Sequence, residues 1–342
     1  MANNELHETA RTLVAEGKGI LAADESDGTI KKRFDSIGIE STEESRRAYR
    51  DMLFTTSGVE EFISGVILFD ETIRQNALDG TPFPKLLASK GVIPGIKVDK
   101  GAKPLALAEG ETITEGLDGL RARLEEYHGL GARFAKWRAT YTITDELPSD
   151  YCICTNAHAL ARYAALCQEA GIVPIVEPEV LMDGTHTIDR AYHVTCRVLD
   201  ALYTEMFDQR LDIEGTLLKP NMVLSGYEAK SRAGADEVAE LTLKCFYKHV
   251  PAAVPGIVFL SGGQSDEDAT AHLNAMNARG THPWELSFSY GRALQAPALK
   301  AWSGKSENVE TGQRAYYHRA KMNSAARTGM YAPEMEREAV PA

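Results

Sequence analysis

A short, β-rich apolar run recurs eight times along this chain, and a longer stretch of helical character follows each one. The runs are Ile20–Glu25, Val66–Glu71, Ile93–Asp99, Arg133–Arg138, Ile172–Glu179, Thr216–Asn221, Gly256–Gly263 and Glu285–Tyr290. Their starts lie 27 to 46 residues apart, the length of one strand–helix unit with its connections. No linker rich in Pro, Gly and Ser and no low-complexity tract interrupts the series. Eight such units in one undivided chain predict an α/β fold, a closed (β/α)8 TIM barrel. An open doubly wound sheet is the competing architecture. It calls for a Gly-rich phosphate turn after the first strand, and Leu21-Ala22-Ala23-Asp24-Glu25-Ser26 offers none. Residues 1–342 read as a single barrel domain: an N-terminal helix over 1–19, the barrel over 20–300, and a C-terminal helix and tail over 301–342.

The connecting segments carry helix signals. Ser41-Thr42-Glu43-Glu44 has the form of a capping box. Ser265-Asp266-Glu267-Asp268 places acidic residues in a first turn, and Gly280 closes that helix. Residues 155–170 show apolar side chains at helical spacing, with Ala157, Leu160, Ala161 and Ala164 on one face.

Charge limits the partners. The chain carries 37 basic and 49 acidic side chains, a net charge of −12. That argues against nucleic acid and anionic membrane surfaces as bulk partners, and it requires any phosphate-binding site to gather positive charge locally. The longest apolar runs, such as Gly65-Val66-Ile67-Leu68-Phe69, are too short to span a bilayer. The polar opening Met1-Ala2-Asn3-Asn4-Glu5 has no signal core, and the five cysteines have no disulfide or zinc spacing. The expectation is a cytoplasmic protein with reduced thiols. The nine histidines are scattered, so no catalytic metal is expected.

In a barrel the reactive side chains come from the C-terminal ends of different strands. Here those ends are charged in turn: Asp24; Lys97 with Asp99; Lys136 with Arg138; Glu177 with Glu179; Lys219; then Ser261, and Arg292 just past the eighth run. Residues two apart on a strand share a face, so Lys136 with Arg138, and Glu177 with Glu179, project as pairs. A single such charge is as well explained by a strand end facing water or by snorkelling. A set of both signs on six strands is poorly explained that way. Lys219 ends the apolar run Gly215-Thr216-Leu217-Leu218, where desolvation and a neighbouring Lys136 would favour the neutral amine that a Schiff-base nucleophile needs. Glu177 and Glu179 are candidates for proton transfer, and Asp24 for taking a hydroxyl proton. Salt bridges to the lysines remain a compatible second role for all three.

Two anion sites flank this lysine. Ser261-Gly262-Gly263 enters a helix N-terminus and Gly291-Arg292 follows the eighth run, where barrels commonly hold phosphate. Ser26, Thr29, Lys32 and Arg33, with Lys97 and Arg138, form the second basic group. Lys31 reads equally well as part of a solvated helix face. Two such sites imply a sugar phosphorylated at both ends. Leu260-Ser261-Gly262-Gly263-Gln264 also matches the signature of ATP-binding-cassette transporters, but the P-loop those ATPases need is missing: Gly304-Lys305-Ser306 has Leu299 where its first glycine belongs.

These strings together closely resemble class I fructose-bisphosphate aldolase, from Gly17-Lys18-Gly19-Ile20-Leu21-Ala22-Ala23-Asp24-Glu25-Ser26 to about Tyr331. Gly95-Ile96-Lys97-Val98-Asp99-Lys100-Gly101, Phe134-Ala135-Lys136-Trp137-Arg138, Val176-Glu177-Pro178-Glu179, Glu214-Gly215-Thr216-Leu217-Leu218-Lys219-Pro220-Asn221, Phe259-Leu260-Ser261-Gly262-Gly263-Gln264-Ser265 and Phe288-Ser289-Tyr290-Gly291-Arg292 carry the likeness. The resemblance implies reversible cleavage of fructose 1,6-bisphosphate to dihydroxyacetone phosphate and glyceraldehyde 3-phosphate, without a cofactor. It implies Lys219 as the Schiff-base lysine, Glu177 as general acid/base, Asp24 for the hydroxyl proton, and Lys136 and Glu179 as tuning groups. Ser261, Gly262, Gly291 and Arg292 would hold the phosphate beside the ketone, and Ser26, Lys97 and Arg138 the other end. It also implies a homotetramer.

The family's best-known members end in a tyrosine that assists proton exchange, whereas the last tyrosine here is Tyr331 and the tail ends Arg337-Glu338-Ala339-Val340-Pro341-Ala342. Truncation after Tyr331 is therefore expected to change turnover little. Thr29 stands where many members have serine. Another Schiff-base barrel enzyme, such as a transaldolase or keto-acid aldolase, and a non-catalytic barrel scaffold are the rival readings, and the preference between fructose 1,6-bisphosphate and fructose 1-phosphate stays open.

Overall fold

The computed structural model describes residues 2–337; Glu338 to Ala342 of the tail lie outside the described residues. Eight strands close a barrel: β1 Gly19–Ala23, β2 Ile63–Leu68, β3 Ile93–Lys97, β4 Phe134–Tyr141, β5 Val173–Val180, β6 Leu217–Leu218, β7 Gly256–Phe259 and β8 Glu285–Tyr290. Each pairs in parallel with its neighbours, and β8 returns to β1. The expected (β/α)8 barrel is the observed architecture. Only the eighth run keeps its expected bounds, and four of the others shift by three residues or more at one end. The second starts three residues earlier, at Ile63, and Asp70 and Glu71 open a helical turn (Asp70–Ile73) beyond it. The fourth runs on to Tyr141. The sixth is only two residues long, although Lys219 N–H still donates to the Val176 carbonyl at 2.8 Å and prolongs the ladder. The seventh ends at Phe259, so Leu260 to Gly263 form a turn.

Parity along the strands builds the barrel in storeys. The lower interior holds Ile20, Ala22, Ile67, Phe134, Val173, Ile175, Leu217 and Val258. Two residues further along the same strands come Asp24, Lys136, Glu177 and Lys219. The apolar storey therefore supports the charged one from below. Gly95 makes room for it, because a Cβ there would lie 2.3 Å from the Phe134 ring. The helix Ala2–Leu13 closes the bottom: its Leu6, Ala10 and Leu13, with Val14 beyond it, belong to the same apolar cluster.

The remaining helices lie outside the strands. The cap of Glu43–Thr55 sits one residue later than the sequence suggested. Thr42, not Ser41, accepts from Ser45 N–H, and the Ser45 hydroxyl accepts from Thr42 N–H in return. The helix predicted over 155–170 spans Asp150–Glu169, because Ser149 caps it five residues earlier. At the C-terminal end, position 300 falls inside the helix Arg292–Trp302, and Val309–Arg327 follows as the final long helix.

Candidate active site

The C-terminal mouth of the barrel opens into a cavity of about 640 Å³. Of the side chains and glycines singled out above, Asp24, Ser26, Thr29, Lys32, Arg33, Lys97, Asp99, Lys136, Arg138, Glu177, Glu179, Lys219, Ser261, Gly262, Gly291 and Arg292 line it. Gly263 does not. It is solvent-exposed and lies against Tyr227, whose ring carbon would be 2.5 Å from a Cβ at that position. Lys31 also stays outside, paired with Asp35 at 2.8 Å on the solvated face of its helix.

The central charges form one connected group. Lys219 directly follows β6 with its side chain only 4% exposed, and its Nζ is 3.2 Å from Glu177 Oε1. Glu177 Oε2 is 3.2 Å from Lys136 Nζ, and Lys136 Nζ is 2.6 Å from Asp24 Oδ2. Among the described residues Glu177 Oε2 has no hydrogen bond: it is near Lys136 but not aligned with it. Burial opposes the Glu177 carboxylate, yet Lys136, Lys219 and Arg138 outweigh it and hold the pKa below the usual glutamate value. Burial likewise opposes the charge on Asp24, and Lys136, Lys219 and Lys97 hold its pKa well below the carboxylate range. For Lys136 burial disfavours the ammonium, but Asp24, Glu177 and Asp99 raise its pKa above the usual lysine value. The resting site is thus an alternating ionic chain in which both carboxylates are ionised and Lys136 is charged.

The rim carries the anion-binding groups. Arg292 donates to the Gly262 carbonyl at 2.7 Å, which ties the loop after β7 to the helix after β8. Gly262 has φ +56, and a Cβ would lie 2.0 Å from Met182 Cε, so both backbone and space favour glycine there. On the other side, Lys97 Nζ pairs with Asp99 Oδ1 at 2.8 Å, and Arg138 pairs with Glu179. Ser26 and Thr29 hydroxyls are 3.2 Å apart at the start of the helix Asp27–Asp35.

Two cavity residues were weakly marked in the sequence. Arg33 belonged to the second basic group, but the structure turns it toward the other end: its Nη2 lies 3.6 Å from where a Gly291 Cβ would be. Glu25 causes this. Its buried carboxylate accepts from Arg33 on one oxygen and from Arg50 on the other, and Gln295 donates to it at 2.9 Å. Ser289 also lines the cavity, 1% exposed and with its hydroxyl unpartnered among the described residues. Its only sequence signal was its place at the end of β8, two residues beyond Ser287.

Among the described residues no three His, Cys, Asp or Glu side chains gather as metal ligands, and no helix is long and apolar enough to cross a membrane.

Comparison with known proteins agrees with this fold. The family model for class-I fructose-bisphosphate aldolase matches residues 5–341. A probable class 1 fructose-bisphosphate aldolase of Xylella fastidiosa is 59% identical over 332 residues, covering 97% of this chain and 99% of the relative. The cytosolic fructose-bisphosphate aldolase 4 of Arabidopsis thaliana is 54% identical over 96% of this chain and 84% of its own length. The fructose-bisphosphate aldolase of Plasmodium falciparum, solved in complex with TRAP and a small-molecule inhibitor, superposes with a TM-score of 0.96 at 50% identity, over 97% of this chain and 96% of that one. With charged strand ends gathered in one barrel mouth and likeness along nearly its whole length, the chain belongs to the class-I fructose-bisphosphate aldolase family.

Proposed function

We propose that Lys219 is the residue through which this lyase cleaves fructose 1,6-bisphosphate reversibly to dihydroxyacetone phosphate and glyceraldehyde 3-phosphate. The observation that carries the assignment is the buried Lys219 Nζ at 3.2 Å from an ionised Glu177. Glu177 takes a proton from the Lys219 ammonium, and the free amine attacks the substrate ketone. The protonated Glu177 then gives that proton to the carbinolamine hydroxyl, which leaves as water and creates a protonated imine. Asp24 accepts the proton of the C4 hydroxyl as the C3–C4 bond breaks. The bonding electrons move into the imine, which acts as the sink. Lys136, 2.6 Å from Asp24 and 3.2 Å from Glu177, keeps both carboxylates ionised between steps. Glu179 holds Arg138 in place.

The phosphate beside the ketone is assigned to Ser261, Gly262, Gly291 and Arg292, with Arg33 added from its position near Gly291. The far phosphate is assigned to Ser26, Thr29, Lys32, Lys97 and Arg138. No cofactor takes part. The chain is read as one domain over residues 1–342, acting in the cytoplasm as a homotetramer. The cytosolic designation of the Arabidopsis relative and the family resemblance support the last two points.

Borohydride reduction in the presence of fructose 1,6-bisphosphate tests the central assignment. The expected product is a single stable adduct on Lys219. Absence of any adduct there, in enzyme that cleaves the substrate, would sink it. The same reaction with fructose 1-phosphate measures how much the far site contributes.

A further inference from the structure

Away from the cavity, two cysteine thiols meet across the helices that bracket the Lys219 strand. Cys196 lies on Ile188–Asp208, the helix before β6, and Cys245 on Ala235–His249, the next helix after it. Both are free, and their sulfurs are 3.3 Å apart. A covalent S–S bond is about 2.05 Å long, so closure draws the sulfurs together by roughly an ångström. Cys245 is fully buried, while Cys196 keeps 8% of its surface. That opening suits a small oxidant better than a bulky thiol reagent. The Cys245 S–H stabilises a Cys196 thiolate, and with help from His249 against the cost of burial it brings the Cys196 pKa down to about 7.

The same helices grip the chain beside Lys219. Asn221 donates to the Thr195 hydroxyl at 3.4 Å and accepts from Val180 N–H at 2.9 Å. Val223 N–H donates to the Thr242 hydroxyl at 2.9 Å. Thr195 adjoins Cys196, and Thr242 is one turn from Cys245. Any shift of one helix against the other therefore acts on the segment from Lys219 to Val223.

We propose that Cys196 and Cys245 form a reversible redox modification site, whose disulfide state slows the aldolase by displacing the Lys219 segment. The oxidant is hydrogen peroxide. The Cys196 thiolate attacks one peroxide oxygen and the O–O bond breaks, giving a sulfenic acid and hydroxide. The Cys245 sulfur then displaces the sulfenic oxygen, which leaves as water with the Cys245 proton. Each peroxide consumes two thiols and yields one disulfide and two waters. A dithiol reductant reverses the state by exchange.

The test uses the full chain in a Cys154→Ser background, which removes the exposed thiol. Enzyme treated with hydrogen peroxide is alkylated and mapped by peptide mass spectrometry, and cleavage of fructose 1,6-bisphosphate is measured before and after dithiothreitol. The expected result is a Cys196–Cys245 linked peptide and a fall of about tenfold in kcat/KM, within the range that ångström-scale displacements produce, both reversed by the reductant. With Cys245→Ser added, the link and the reversible fall should vanish and dimedone should label Cys196. The proposal is overturned if both thiols stay alkylatable after peroxide, if the link forms with kcat/KM unchanged, or if the reversible fall persists without Cys245. The effect on rate rests on the Lys219 assignment, so borohydride trapping of the reduced enzyme runs beside it. Failure of that trapping counts against Lys219, whereas normal trapping with an unaffected oxidised enzyme counts against the thiol pair alone.

Discussion

Lys136→Met tests whether one buried ammonium holds Asp24 and Glu177 in their ionised form. Lys136 is 5% exposed and lies 2.6 Å from Asp24 and 3.2 Å from Glu177. Methionine keeps the stem and removes the charge. Glu177 retains Lys219 at 3.2 Å, but Asp24 loses its one direct ion-pair partner among the described residues. Removing one member of a buried pair costs roughly 3–5 kcal/mol; because Lys219 still reaches Glu177, about 3 kcal/mol is expected. Unfolding entropy is about 2.1 cal/mol/K per residue, so for 342 residues that cost lowers the melting midpoint by about 4 °C. The double variant Lys136→Met, Asp24→Asn removes the stranded carboxylate and should recover about 2 kcal/mol, as expected for coupled neighbours. Thermal melts of wild type, both single variants and the double variant complete the cycle. If the two effects add to within about 0.5 kcal/mol, Lys136 is not the counter-ion of Asp24 and its proposed role in keeping both carboxylates ionised fails. Cleavage by Lys136→Met should fall by about 10²- to 10⁴-fold, the usual size of a lost acid–base partner.

Lys219→Met should fold normally by circular dichroism and form no borohydride adduct with fructose 1,6-bisphosphate. Because Asp24 and Glu177 have depressed pKa values, their contribution to stability is complete at neutral pH and is lost only as pH falls below the ordinary carboxylate range. Acid denaturation of Lys136→Met should begin at a higher pH than in wild type. Gly262→Ala forces a Cβ toward Met182 at a φ of +56; steady-state kinetics should show KM raised about tenfold, equivalent to roughly 1.4 kcal/mol of binding. Truncation after Tyr331 removes Glu336, which accepts from the Tyr331 hydroxyl, pairs with the buried Arg319 and lies 3.0 Å from His318. Arg319 keeps its donations to the Asp266 carbonyl and the Thr270 hydroxyl. Thermal melts should therefore show a loss of about 1–3 kcal/mol while turnover changes little.

The barrel was readable because its period survives in the sequence as apolar runs, and the site because strand parity places Lys136, Glu177 and Lys219 above Phe134, Ile175 and Leu217 in one interior. What escaped depends on contacts between distant residues. The start of β2, Ile63-Ser64-Gly65, looks too polar and too small for a strand. In the fold Ser64 donates to the Leu13 carbonyl, and a Cβ at Gly65 would lie 2.6 Å from Leu13. Arg33 turned toward Gly291 because Glu25 binds it together with Gln295, which is 270 residues from Glu25. No local pattern encodes that triangle. The hairpin Ala102–Pro104 with Thr112–Thr114 was also missed, since two three-residue strands leave no periodic signal.

Apolar side chains fill the lower barrel and the helix Ala2–Leu13 packs beneath them, so among the described residues the cavity opens at the C-terminal mouth. Substrate and both fragments must use the same doorway, and one fragment is still covalently tethered after the carbon–carbon bond breaks. Departure is therefore sequential: the aldehyde clears the mouth first and the ketone follows only after hydrolysis. A trapped aldehyde would oppose the forward direction by recombining before water can reach the imine.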